Sequence, residues 1–256
     1  PSAREGGGLL RRHGGIDPLD ERRGLAVMRR LHIQIARLMQ ALGHEITPLY
    51  PALVQLRCSH PALKGLKGIR TQAELTLMID DQAVLRETGE LLLTDYGVSG
   101  VCVFQLSREA APALAQGRSV RLAVNFLPEI PSLLPWLDAR IRQLAPASLL
   151  ALTTGVLPRL LAQTVIREAR LSPDMPAEAL SESEKQALCG ELSAFPLVVT
   201  GTQGFANAQV TRGGVSLADV DPSTLASRLF DGLHIIGALL DVDGRRFFCA
   251  HRRSFC

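Results

Sequence analysis

The sequence predicts a mixed fold, α/β plus β, in which pieces of an α/β sheet flank a small barrel and a helical cluster. Three observations predict it. Several short strands closed by turns occupy the stretch from Leu53 to Asn125, the texture of a small antiparallel barrel or sandwich. After Pro131 three amphipathic segments follow one another, which reads as a satellite cluster of helices. From Pro196 the order becomes strand, turn, helix and strand, as at the edge of an α/β dinucleotide-binding sheet.

Residues 1–20 are rich in Gly and Arg, show no hydrophobic periodicity and read as a terminal extension. The Gly6-Gly7-Gly8 run lacks both a preceding strand and a following Gly-Lys-Ser/Thr, so it does not read as a phosphate loop. From Glu21 the pattern turns helical. Met28, Leu31, Ile35, Leu38, Met39 and Leu42 recur at helical spacing, and Gly43 stands where a C′ residue belongs.

Leu53 to Arg57 reads as a short strand. Ala73 to Ile79 alternates strictly, with Leu75, Leu77 and Ile79 on one face; Asp80-Asp81-Gln82 turns the chain and Ala83 to Thr88 returns. Gly89 is expected to open another turn before a strand from Glu90 to Thr94. Val98 to Leu106 reads as a mostly buried strand, and Val120, Leu122 and Val124 mark one more. Between these two, Ser107 is expected to cap a short helix, Arg108 to Gln116, that stops at Gly117. Helices follow over Leu133 to Leu144, Leu157 to Ala169 and Glu182 to Leu192, the last opened by a Ser181-x-x-Glu184 capping box. Leu197 to Gly201 is a buried-type strand, Asp221-Pro222 starts a helix with Asp as N-cap and Pro at N1, and Leu233 to Gly237 is a second short strand.

Composition narrows the function classes. With 46% hydrophobic and 21% charged residues the chain folds rather than stays disordered. A net charge of +3 is small, and the densest Arg pairs (Arg11-Arg12, Arg22-Arg23, Arg29-Arg30, Arg252-Arg253) lie near the two ends, so no basic stripe is built. Aromatics at 4% leave too few rings for a base-stacking platform. No nucleic-acid partner is expected. Five widely spaced cysteines, odd in number and without a Cys-x-x-Cys, suit a reducing cytoplasm. Cys249, His251 and Cys256 lie close together but without zinc spacing, and no metal is expected. The uncharged run Leu144 to Pro158 is interrupted by Pro146 and Gly155 and is too short to span a bilayer. No secretory-signal pattern opens the sequence, so no membrane association is expected.

No Gly-x-Gly-x-x-Gly occurs, so a pyrophosphate-binding first turn is missing. The six histidines show no ligand spacing and read as packed or solvated. Asp80 with Asp81, and Asp241 with Asp243, read as turn formers before they read as acid/base pairs. One segment stands out, Thr211-Arg212-Gly213-Gly214-Val215-Ser216-Leu217. Paired glycines let backbone amides approach a flat or anionic ligand, and Thr211 adds a hydroxyl. The same pair also closes an ordinary hairpin turn.

The stretch from Thr200 to Gly244 resembles the C-terminal FAD-binding part of the YhiN/BaiN-like flavoproteins. The family's VTxGGVSL element stands at Val210 to Leu217, its DPxTxxSKL helix at Asp221 to Leu229, and its GLYFAGExLDVDG at Gly232 to Gly244. Leu42 to Leu56, Leu66 to Arg70 and Gly89 to Gly100 match the family's insert in style, so the resemblance covers roughly residues 36–244. It implies an FAD-binding domain, Rossmann-like and here partial, interrupted by a β-barrel insert with a small helical cluster. It also implies that Thr211, Gly213, Gly214 and Val215 line the flavin side, and that Gly237 and Asp241 lie near the ribityl and pyrophosphate chain. FAD is the implied cofactor and NAD(P)H the implied electron donor, acting on an unidentified small-molecule substrate. Tyr96, in Thr94-Asp95-Tyr96-Gly97, is then either a proton donor on the substrate side or a buried aromatic at a barrel turn.

The departures are equally specific. Ala238 replaces the family's ribityl-binding Glu, and Arg245-Arg246-Phe247-Phe248-Cys249 replaces a Gly-Gly-aromatic-Asn helix start. Arg29-Arg30-Leu31-His32-Ile33 stands where the family has a Gly-rich run. The expected division is an irregular extension 1–33, an FAD-domain piece 34–50, the insert 51–195, a second FAD-domain piece 196–244, and a tail 245–256. Residues 1–33 and 245–256 are expected to be non-family sequence from a shifted or truncated reading frame. The expectation is thus a segment of an FAD-dependent oxidoreductase with weak or no FAD binding of its own. The alternatives are a stand-alone β-barrel module that binds a protein or RNA, and a pseudo-enzyme that needs a partner chain.

Overall fold

A computed structural model of the chain describes residues 31–242. Six strands close into an antiparallel barrel: β2 (Leu56–Ser59), β3 (Arg70–Ile79), β4 (Gln82–Leu93), β5 (Gly97–Ser99), β6 (Val120–Asn125) and β7 (Phe195–Thr202). Their order around the barrel is β2-β5-β4-β3-β6-β7, with β7 pairing back onto β2. Closure leaves no open edge. Leu75, Leu77 and Ile79 face inward and are buried as the alternation requires. The tip joining β3 to β4 has Asp80 at φ 48° and Asp81 at φ 65°, a two-residue turn whose left-handed backbone suits Asp and matches the strand twist. Asp80 and Asp81 pair there with Arg118 and Arg121, and Ser119 N–H donates to Asp80 Oδ1 at 3.0 Å. This aspartate pair holds a turn.

The helix α2 (Val101–Ala115) crosses the barrel in contact with β3, β4, β5, β6 and β7. The expected strand over Val98 to Leu106 is instead the three-residue β5 followed by this helix. A short β-branched apolar run has no period that separates strand from buried helix. Burial of Cys102, Val103, Leu106, Ser107, Ala110 and Ala111 repeats at helical spacing. Ser107 consequently sits inside α2 rather than capping a shorter helix, while the stop at Gly117 stands. Gly89 does not open a turn either. It continues β4 opposite Ala73, beneath Cys102 of α2, whose Cβ would touch an added methyl at 3.7 Å. The expected strand over Leu53 to Arg57 is also split, because Leu53 takes φ 51° between β1 (Tyr50–Ala52) and β2.

The helical cluster forms where the pattern places it: α3 (Leu133–Leu144), a one-turn α4 (Leu149–Leu152), α5 (Arg159–Glu168) and α6 (Glu182–Ala194). The capping box at Ser181 and Glu184 is made in both directions. Arg140 ties α3 to the α4 turn by donating to the carbonyls of Leu152 and Thr154, and its guanidinium lies over the Trp136 ring at 5.5 Å. Barrel, α2 and cluster share one continuous core, so they fold as a single unit. β7, expected in the α/β sheet, is the sixth stave of the barrel; the barrel therefore runs past residue 195.

A second, smaller body comprises the helix α1 (31–41), the segment 44–49 and residues 213–242, with its own core of Met39, Val215, Val220, Ile235 and Leu240. Gly43 ends α1 at φ 93°. The N–H groups of His44 and Gly43 donate to the carbonyls of Met39 and Gln40, the paired bonds of a Schellman stop. β1 and β8 (Val210–Arg212) form an antiparallel ribbon joining the two bodies. The helix expected from Asp221 and the strand expected over Leu233 to Gly237 do not form. The Asp221 carboxylate takes the N–H groups of Ser223 and Thr224 at 2.8 and 3.0 Å, and Leu225 at φ 59° leaves the helical region. His234 makes one isolated antiparallel bridge, to Ala226.

Candidate functional site

Three chain segments meet at Val215, which is fully buried. Its N–H donates to Leu239 O at 2.7 Å, and its carbonyl accepts from Asp241 N–H at 2.9 Å. Ile46 bridges it antiparallel from one side and Leu240 parallel from the other. Gly214 is equally committed: its N–H donates to Thr47 Oγ1 at 3.0 Å, and its carbonyl accepts Thr47 N–H at 2.9 Å. The structure thus brings Gly213, Gly214, Val215 and Asp241 together, with Thr211 two residues before Gly213 in β8 and Gly237 opening a 3₁₀ turn that leads to Leu239.

The two glycines have a physical reason that needs no ligand. A Cβ on Gly213 would lie 2.3 Å from Pro48 O, and one on Gly214 would lie 2.3 Å from Leu239 O. Both spaces are filled by this chain's own backbone. Gly213 also has φ 88°, which a side chain resists. Of the six expected contacts, the amides of Gly214, Val215 and Asp241 are therefore spent inside the protein. The atoms left over are side-chain atoms: Thr211 Oγ1 and, on α1, His32 Nε2 are buried without a hydrogen-bond partner. Burial holds the His32 imidazole below its ordinary pKa, partly offset by a hydrogen bond to the Gly213 backbone. Among the described residues the backbone amides of Gly214, Val215 and Asp241 are thus already hydrogen-bonded within the chain.

Sequence reasoning missed the histidine that organises this body. His44 is buried, with Nδ1 3.3 Å from Met39 O and Nε2 2.8 Å from Ser227 Oγ. Nδ1–H donates to the carbonyl, so Nε2 accepts the serine proton. Ser227 Oγ in turn accepts the N–H groups of Leu229 and Phe230, each at 3.0 Å. Every lone pair and proton of the hydroxyl has a partner, and the ring stacks near Phe230. The signal was local: His44 directly follows the C′ glycine, where a residue turns back onto its helix. Tyr96 is half-buried, and its carbonyl accepts Cys58 N–H at 2.9 Å. Asp243 lies outside the described residues, as do Cys249, His251 and Cys256. Among the described residues no group of three His, Cys, Asp or Glu is placed to hold a metal, and no helix is long and apolar enough to cross a membrane.

A closed antiparallel barrel packed against α2, fused to a helical cluster and tied by a two-strand ribbon to a small Gly-Gly-centred body, defines a composite barrel-and-helix class of protein. A family profile described as HI0933-like protein barrel and H2TH domain matches residues 50–210. The chain belongs to this family, the YhiN/BaiN-like flavoproteins that its motifs resemble. It is 35% identical over 210 residues to the 3-dehydro-bile acid delta(4,6)-reductase of Clostridium scindens, a match covering 81% of this chain and 51% of that protein. It is 29% identical over 212 residues to the ribosomal RNA dihydrouridine synthase of Escherichia coli K12, covering 81% of this chain and 50% of that protein. The enzyme of the same name from Haemophilus influenzae is 25% identical over 211 residues. The chain spans about half the length of the curated relatives it matches.

Proposed function

We propose that this chain is the barrel-bearing segment of an FAD-dependent oxidoreductase that reduces an unsaturated small molecule with electrons from NAD(P)H. The observation that carries the reading is the β1–β8 ribbon. It ties the start of the Val210 to Leu217 element, which the resemblance puts on the flavin side, to the strand that leads into the barrel. The names of the relatives support the reaction class, since a reductase and a dihydrouridine synthase both add hydrogen to unsaturation. FAD would supply the hydride chemistry, while the protein supplies binding and orientation. The committed amides at Gly214, Val215 and Asp241 support weak or no FAD binding by this chain alone.

The reading of a stand-alone barrel module has less behind it. The inward-facing barrel residues and the buried face of α2 fill the interior. On the outside, Arg70 pairs with Glu90, Arg86 with Glu74, Arg118 with Asp80 and Arg121 with Asp81. That neutralised hairpin face supports a small-molecule substrate over a nucleic-acid partner. Free thiols at Cys58, Cys102 and Cys189 support a cytoplasmic location.

The test is an amide NMR titration of the full chain with FAD, followed by desalting and an absorption spectrum. Fast-exchange shifts confined to residues 210–215 and 237–241, with a colourless protein after desalting, are expected. Shifts scattered over the barrel strands instead of these segments overturn the flavin reading, and flavin bands retained after desalting overturn the weak binding. Repeating the titration with an RNA oligonucleotide is expected to leave the barrel amides in place.

A further inference from the structure

The helix α2 carries polar ties to both connections between the barrel and the second body. Ser107, in the middle of α2, donates to Phe104 O at 2.7 Å and accepts Val54 N–H at 3.1 Å, just beyond the left-handed Leu53. The following residues of the same helix meet the other connection. Arg212 Nη1 donates to the carbonyl of Arg108 and lies 3.1 Å from Glu109 Oε1. That carbonyl is available for a local reason. Its helical partner would be the N–H of the residue four positions on, which is Pro112 and has none. Nη1 of Arg212 meets that carbonyl and the neighbouring carboxylate together, one nitrogen serving both.

Arg212 is the last residue of β8 and the immediate neighbour of Gly213. We propose that Arg212 is a positioning residue: α2, through the carbonyl that Pro112 leaves open, sets where the Gly213-Gly214-Val215 segment stands relative to the barrel. The consequence for catalysis rests on the flavin reading above, whereas the positioning itself does not. In that reading the link fixes the distance from the barrel to the flavin face, and α2 is the rigid member between them.

Native-state hydrogen exchange on the full chain tests it. Arg212→Met keeps the aliphatic stem and removes both contacts. Loss of a charge-assisted hydrogen bond is expected to raise exchange over residues 210–215 by roughly ten- to a hundredfold, with barrel amides at 120–124 unchanged. Arg212→Lys is expected to fall between. Pro112→Ala restores an N–H to α2, so the same Arg212→Met change made in that background is expected to have a smaller effect. Equal loosening of the barrel, no change at 210–215, or an identical effect in both backgrounds overturns the proposal. FAD is absent from every arm, so a chain that shows this pattern yet fails the flavin titration keeps the positioning role and loses the cofactor reading.

Discussion

Gly214 and Gly190 differ in what a methyl group would meet, and that difference sets opposite signs for the same substitution. At Gly214 the new Cβ would overlap Leu239 O and crowd the backbone of Leu240, none of which is a flexible side-chain end. Gly214→Ala is expected to cost about 1–3 kcal/mol, the usual range for overpacking. At Gly190, inside α6, nothing lies within 4 Å. Gly190→Ala is expected to stabilise by about 0.5–1 kcal/mol through helix propensity. Urea unfolding of the two variants beside the parent reads both signs; the same sign at both positions would contradict the packing described. The glycine pair itself was visible in the sequence with its two readings open. Its neighbours Pro48 and Leu239 lie far away along the chain, so no local pattern could announce that backbone fills the space.

At the scale of elements, the turn from Asp221 to Leu225 replaces a helix that capping rules favoured. The Ser223 hydroxyl first, then the N–H groups of Ser223 and Thr224, hold the Asp221 carboxyl at about 2. Its folded pKa is depressed, so the turn's stabilisation is present above the ordinary carboxylate range and is lost as pH falls from there toward 2. Amide shifts of Ser223 and Thr224 followed from pH 5 to 2 are expected to collapse together in that window. Asp221→Ala is expected to abolish the transition, and a transition that survives the substitution would assign it to another group. The same side chain can cap a helix or close a turn. Residue 225 decided between them, and a left-handed Leu is not legible in sequence.

For the whole molecule the two cores are unequal. The barrel, α2 and the cluster bury a long continuous set of apolar side chains, each contributing about 1.5–3 kcal/mol for a fully buried Leu or Val. The second body buries Met39, Val215, Val220, Ile235 and Leu240 and leaves Leu31, Leu38, Leu229, Phe230 and Ile236 exposed. Its amides are therefore expected to exchange through a local opening, while the paired amides of β3 and β6 exchange through global unfolding. Denaturant-dependent exchange checks this: protection of Val215 should respond to urea more weakly than protection of Leu77. Equal slopes would mean one cooperative unit.

Taken alone, the sequence determined the elements whose signals are local. The strict alternation in β3, the two-Asp turn, the Ser181 capping box and the Gly43 stop all rest on periods or caps spanning a few residues, and each stands in the structure. Its motifs also determined the family. Tertiary structure decided what depends on distant partners: that Val101 to Leu106 coils into a helix whose buried face, Cys102, Val103 and Leu106, joins the barrel's core, and that β7 completes the barrel by pairing with β2 and β6. It also decided that Gly213 and Gly214 press on Pro48 and Leu239 rather than offer open amides. Periodicity reports which face of an element is apolar, whereas the identity of what covers that face is set by long-range packing.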